Sequence, residues 1–95
     1  MKTKKATYVI VRTYSAGVHA GELAVRKGRE VTLRNARRIW SWTGAFTLSE
    51  ISQHGISGGR ISCVVPEITL TEAIEIIPTS SEAETCLRGM KEHRS

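Results

Sequence analysis

Apolar and polar positions along most of this chain repeat at the two-residue period of a pleated sheet. Tyr8-Val9-Ile10-Val11 is a β-branched and aromatic run that predicts a buried strand. Glu22-Leu23-Ala24-Val25-Arg26 and Glu30-Val31-Thr32-Leu33-Arg34 alternate. Lys27-Gly28-Arg29 between them supplies a tight turn, so the pair predicts a β-hairpin. Ser15 to Gly21 carries two glycines and predicts a loop or bulge before that hairpin. Arg37 to Trp42 continues as a strand, with Arg38, Trp40 and Trp42 on one face by strict alternation and Arg37 on the other.

The pattern then changes. Thr43 to Phe46 reads as a turn, and Thr47-Leu48-Ser49-Glu50 fits a capping box that opens a short helix ended by Gly55. Gly58-Gly59 predicts a flexible connection. Ile61 to Val65 predicts a strand stopped by Pro66, and Glu67 to Ile77 one or two more, closed by Pro78. Thr79-Ser80-Ser81-Glu82 is a second capping box. It opens a terminal helix over 82–91 with Ala83, Leu87 and Met90 on one stripe and Arg88, Lys91 and Arg94 at its basic end. The expected fold is α+β: a small twisted antiparallel sheet or barrel of five to six short strands with two short helices. Residues 1–7 form a basic N-terminal tail and 8–92 a single compact domain.

Ninety-five residues make one domain with a modest core. Cys63 and Cys86 can form at most one bridge, and no zinc spacing is present. With no staple in view, a homo-oligomer is the expected source of further buried area. No apolar run reaches the ~20 residues of a membrane span, nor the length of a signal peptide, which points to a soluble chain in the cytoplasm.

Charge changes this picture more than hydropathy does. Residues 1–38 hold ten Lys or Arg against Glu22 and Glu30, whereas residues 61–95 hold three against six glutamates. The basic half can face an anionic partner, or the two halves can attract each other across a subunit contact. All nine acidic residues are glutamates, so Asp dyads, DxD metal motifs and Ser-His-Asp triads are excluded. Cys63 in an apolar strand fits an inert buried thiol. No catalytic set, cofactor motif or metal cluster emerges, and the expectation is a binder rather than an enzyme.

Two groups of residues are candidates for binding. Arg37, Arg38, Trp40 and Trp42 can combine a stacking platform, worth about 1–3 kcal/mol per base, with a phosphate fork. The same tryptophans also fit a core or a subunit interface. The second group is the glycine loop with Arg12, Ser15, Gly17 and His19, whose backbone N–H groups can approach an anion. It matches neither the P-loop nor the dinucleotide-fold spacing, and equally suits an ordinary strand connection.

The segments Val11 to Gly21, Asn35 to Trp42 and Leu70 to Pro78 resemble a family of small phage and prophage proteins, most specifically in Ala-Arg-Arg-Ile-Trp-x-Trp. That resemblance implies a phage setting and the host cytoplasm. Small phage proteins without catalytic groups include sponges that sequester nucleotide second messengers of bacterial immunity. The function expected here is of that kind, with a small anionic nucleotide as ligand and no membrane partner. A nucleic-acid-binding accessory protein and a structural or assembly protein are the alternatives.

Overall fold

A computed structural model describes residues 7–45 and 47–92. Met1 to Ala6 of the expected tail, Phe46 of the expected turn, and Arg94 lie outside the described residues. The elements run β1 (Tyr8–Thr13), β2 (Val18–Lys27), β3 (Glu30–Thr43), α1 (Leu48–His54), β4 (Gly58–Ile61), β5 (Val65–Leu70), β6 (Ala73–Pro78) and α2 (Ser81–Gly89). The fold is α+β, six antiparallel strands in a curled half-barrel with two helices.

The hairpin at Lys27-Gly28-Arg29 is present, and both of its strands run longer than the alternation suggested. The expected loop over 15–21 shrinks to Tyr14–Gly17, and Val18 to Gly21 belong to β2. Gly21 is a strand residue here because the strands approach closely: a Cβ on it would lie 3.1 Å from Ala36 Cα. Ala20 pairs with Arg37 and Glu22 with Arg34, so Gly21 faces two residues, Asn35 and Ala36. Asn35 takes φ +49°, a left-handed position that asparagine tolerates. Farther out, Leu23 pairs with Leu33 and Val25 with Thr32, leaving Ala24 as the extra residue on β2. Bulges bend strands and increase their twist. These two fold the outer half of the hairpin over the rest of the sheet.

The sheet order is β4-β3-β2-β1-β6, and β5 pairs with the first half of β3 while β4 pairs with the second. β5 and β6 thus sit on different edges although only Thr71 and Glu72 separate them in sequence. The curl makes this connection possible. Ala73 N donates to Arg29 O at 3.0 Å and Tyr14 N to Glu72 O at 2.9 Å, tying the edges together.

The expected strand over 61–65 is broken, because β4 ends at Ile61 and β5 begins at Val65. Gly58-Gly59, expected as a flexible link, lies within β4, and Pro66, expected as a stop, lies within β5. The proline is tolerated because β5 is an edge strand that pairs only with β3. Cys63 sits exposed in the link rather than buried, and both cysteines are free.

Two cores result, one on each face of β1. Tyr8 and Ile10 pack with Ala20, Ile39, Ile51, Ile61 and Leu87 beneath the helices. Val9 and Val11 pack with Val31, Leu33, Ala36 and Leu70 inside the curl. Thr47 caps α1 as expected, accepting from Glu50 N at 3.2 Å. α2 is capped by Ser80 rather than Thr79: Ser80 Oγ accepts from Ala83 N, and Thr79 donates its hydroxyl to Tyr8 O. The helix ends at Gly89, short of the expected Lys91. Arg88 fastens it to the sheet, bonding Glu84 at 2.8 Å and Glu22 at 2.9 Å with its guanidinium 4.5 Å from the Tyr8 ring centroid. No helix is long and apolar enough to cross a membrane among the described residues.

Candidate functional site

A cleft of about 380 Å³ opens beside β3 where β4 and β5 part. Cross-strand pairing assembles its polar part. His19 on β2 lies opposite Arg38 on β3, and Arg38 Nε donates to His19 Nε2 at 3.3 Å. His19 is 1% exposed, and its Nδ1 is buried without a hydrogen-bond partner. Burial, and secondarily the Arg38 charge, lower its pKa to about 4. The imidazole is therefore neutral at physiological pH, and because Nε2 accepts, the proton belongs on Nδ1. Arg38 is exposed and makes no ion pair among the described residues. Its backbone is held at the rim by Ser62, whose Oγ accepts from Arg38 N at 2.8 Å and whose N donates to Arg38 O at 2.9 Å.

Trp40 forms one wall and is 47% exposed. Trp42 does not join it. Ile39 pairs with Ile61 and Ser41 with Arg60, so Trp40 is the extra residue of a third irregularity in β3. That insertion breaks the alternation, and Trp42 packs with Ile39 against the core beneath the helices. The expectation that both indoles share a face with Arg38 is thus corrected: Trp40 faces the cleft and Trp42 the core.

Arg37 borders the cleft but its guanidinium is used elsewhere. Nε donates to Ser62 O at 2.9 Å, and Nη1 to Leu87 O at 2.9 Å and Arg88 O at 3.4 Å. Those last two are carbonyls of the final turn of α2, the negative end of the helix dipole, so the buried cation acts as that helix's C-terminal clamp.

The glycine loop stays outside the cleft lining. Arg12 pairs with Val18, which packs on the helix side, so it shares that face and is exposed there. Ser15 donates to Glu72 Oε1 at 2.6 Å. Gly17, at φ +86°, closes the turn by accepting from Thr13 N and Oγ1. The structure thus brings His19, Arg37, Arg38 and Trp40 together and leaves Arg12, Ser15, Gly17 and Trp42 apart. Ala36, Ser62, Val65 and Ile68 complete the cleft. Their part was invisible in the sequence because it depends on β5 pairing with β3, which has no local signal.

The arrangement can stack a planar group on the indole, engage an anion at Arg38 and offer apolar surface between them. No group of three or more His, Cys or Glu side chains suited to a metal ion comes together among the described residues. The model of one family, described as a domain of unknown function (DUF6948), matches residues 6–87. No curated protein and no solved structure matches the chain.

Proposed function

The chain belongs to the DUF6948 family, and we propose that this member is a phage-encoded protein that binds and sequesters a nucleotide second messenger of bacterial immunity. It acts without chemical turnover, as a homo-oligomer in the host cytoplasm. The observation that carries this reading is the meeting, in one cleft, of an indole, a guanidinium without an ion pair and a neutral buried imidazole. The Trp40 face suits a base. Arg38, aligned by His19, suits a phosphate oxygen pair. With Arg37 committed to carbonyls, the cleft offers one guanidinium, which favours a ligand presenting single phosphates rather than a polyphosphate chain.

The cleft volume lies within the range of about 300–1,000 Å³ usual for small-ligand sites. The oligomer is supported by a short unstapled chain and by Val25 and Val64, large apolar residues that stay exposed outside both cavities.

Calorimetric titration with cyclic mono- and dinucleotides tests the reading. Trp40→Ala and Arg38→Gln should each weaken binding about tenfold to a hundredfold, the equivalent of ~1–3 kcal/mol. Ligand recovered after incubation should be intact. Unchanged affinity in both variants, or conversion of the ligand by pure protein, would overturn it.

A further inference from the structure

A second cavity, of about 770 Å³, lies where three turns meet: the Tyr14–Gly17 loop, the β2–β3 hairpin tip and the Thr71-Glu72 connection. Arg26 and Arg29 both line it, with Tyr14, Glu72 and Ile74. Its walls are fixed by backbone bonds across the turns, Tyr14 N to Glu72 O and Ala73 N to Arg29 O. The lining carboxylate, Glu72, accepts from the Ser15 hydroxyl at 2.6 Å. Neither Arg26 nor Arg29 makes an ion pair among the described residues. Two guanidinia bordering one cavity repel each other, and a shared anion converts that repulsion into attraction.

The chemistry of the walls narrows the anion. One guanidinium satisfies a carboxylate through a single fork, whereas two guanidinia match an anion with three oxygens and more than one charge. Tyr14, 79% exposed, and Ile74, 53% exposed, add a ring face and an aliphatic surface beside the charges. We propose that this cavity is a second binding site, distinct from the Trp40 cleft, for a phosphate monoester carrying a planar organic group. Arg26 and Arg29 hold the phosphate, and Tyr14 stacks on the group it esterifies. Gly28, at φ +57°, also lines the cavity, and a Cβ there would meet nothing within 4 Å.

The test is a site-resolved amide NMR titration of the full chain with phenyl phosphate. The amides of Gly28, Arg29, Glu72 and Ala73 should shift, and inorganic phosphate should shift the same amides more weakly. Arg26→Gln with Arg29→Gln should reduce affinity at least tenfold. Both side chains are exposed, so the fold survives the change, which the unaltered remainder of the spectrum verifies. At these four amides Tyr14→Ala should weaken phenyl phosphate several-fold and leave inorganic phosphate unchanged, while Trp40→Ala should leave their titration with either probe as it is.

A terminal phosphate monoester occurs on free nucleotides and on polynucleotide ends. Shifts with a nucleoside monophosphate but not with a 5′-phosphorylated oligonucleotide assign the site to the free form, and the converse assigns it to a chain end. Shifts that survive the double arginine variant, that chloride reproduces at equal ionic strength, or that fall only on cleft amides overturn the second site. The last of these outcomes leaves the cleft reading standing.

Discussion

Replacing Arg37 with glutamine removes a buried cation whose bonds run to two separate parts of the fold, Ser62 O in the β4–β5 link and Leu87 O in α2. Both bonds measure 2.9 Å, and hydrogen bonds to charged groups contribute about 1.5–3 kcal/mol each. Glutamine is shorter and can restore at most one of them, and the carbonyl it abandons stays shielded from water. A net loss of about 3–4 kcal/mol follows, set against a total stability of about 5–15 kcal/mol for a small domain. For a chain of this size each kcal/mol lowers the midpoint by about 4–8 °C, so Arg37→Gln should melt about 15–30 °C earlier. Arg38→Gln, one residue on but exposed, should melt within about 5 °C of the parent. Thermal unfolding followed by circular dichroism at pH 7 compares the two directly. An Arg37→Gln midpoint within a few degrees of the parent, or below which Arg38→Gln falls, would refute the clamp.

Trp42→Ala should cost about 3 kcal/mol of stability, because the indole packs against the helix-side core, while Trp40→Ala should cost below about 1 kcal/mol; denaturant midpoints decide, and equal losses would contradict the bulge at Trp40. Gly21→Ala should destabilise by about 1–3 kcal/mol in the same assay, since its Cβ would meet Ala36 Cα at 3.1 Å and Arg34 O at 3.2 Å; a neutral result would mean the corner can relax. Acid should weaken the fold through His19. Its pKa is about 4 folded against 6.5 unfolded, so the unfolded chain takes up the proton first, and stability present above pH 6.5 is lost as pH falls toward 4. Between pH 7 and 5 the loss is about 2 kcal/mol, and His19→Gln should flatten that slope in urea titrations. Glu22, held below the usual carboxylate range by Asn35 and Arg88, loses its contribution only at more acid pH, so it does not confuse this window.

Local chemistry made the hairpin turn, both helices and the strand at Tyr8 legible in the sequence. A φ-positive glycine between alternating runs and a threonine three residues before a glutamate act within a few positions of themselves. What the sequence concealed were the three irregularities in the pairing of β3 with β2 and β4. Asn35, Ala24 and Trp40 each insert one residue against a partner strand, and each insertion resets which side chains share a face. An alternation read through Trp40 therefore places Trp42 on the wrong side. Gly21 and Gly58-Gly59 look like breaks in isolation, yet they are strand residues because another backbone lies against them: a Cβ on Gly59 would collide with Ser41 and Trp42 backbone atoms. The cleft itself was half legible. His19, Arg38 and Trp40 stand out by residue type, whereas Val65 and Ile68 look like any strand residues until the curl brings β5 alongside β3.

β1 contributes alternate residues to both cores, with Tyr8 and Ile10 on one side and Val9 and Val11 on the other. Neither core can therefore loosen while the other keeps its packing, because the same six-residue strand would have to be present for one and absent for the other. The helices and the curled outer hairpin become a single cooperative unit through a strand that both require. Amide protons of Val9, Ile10 and Val11 should accordingly exchange with solvent only when the whole molecule opens, and calorimetry should show one transition rather than two. In a chain this short, that sharing lets two small apolar clusters act with the thermodynamic weight of one larger core.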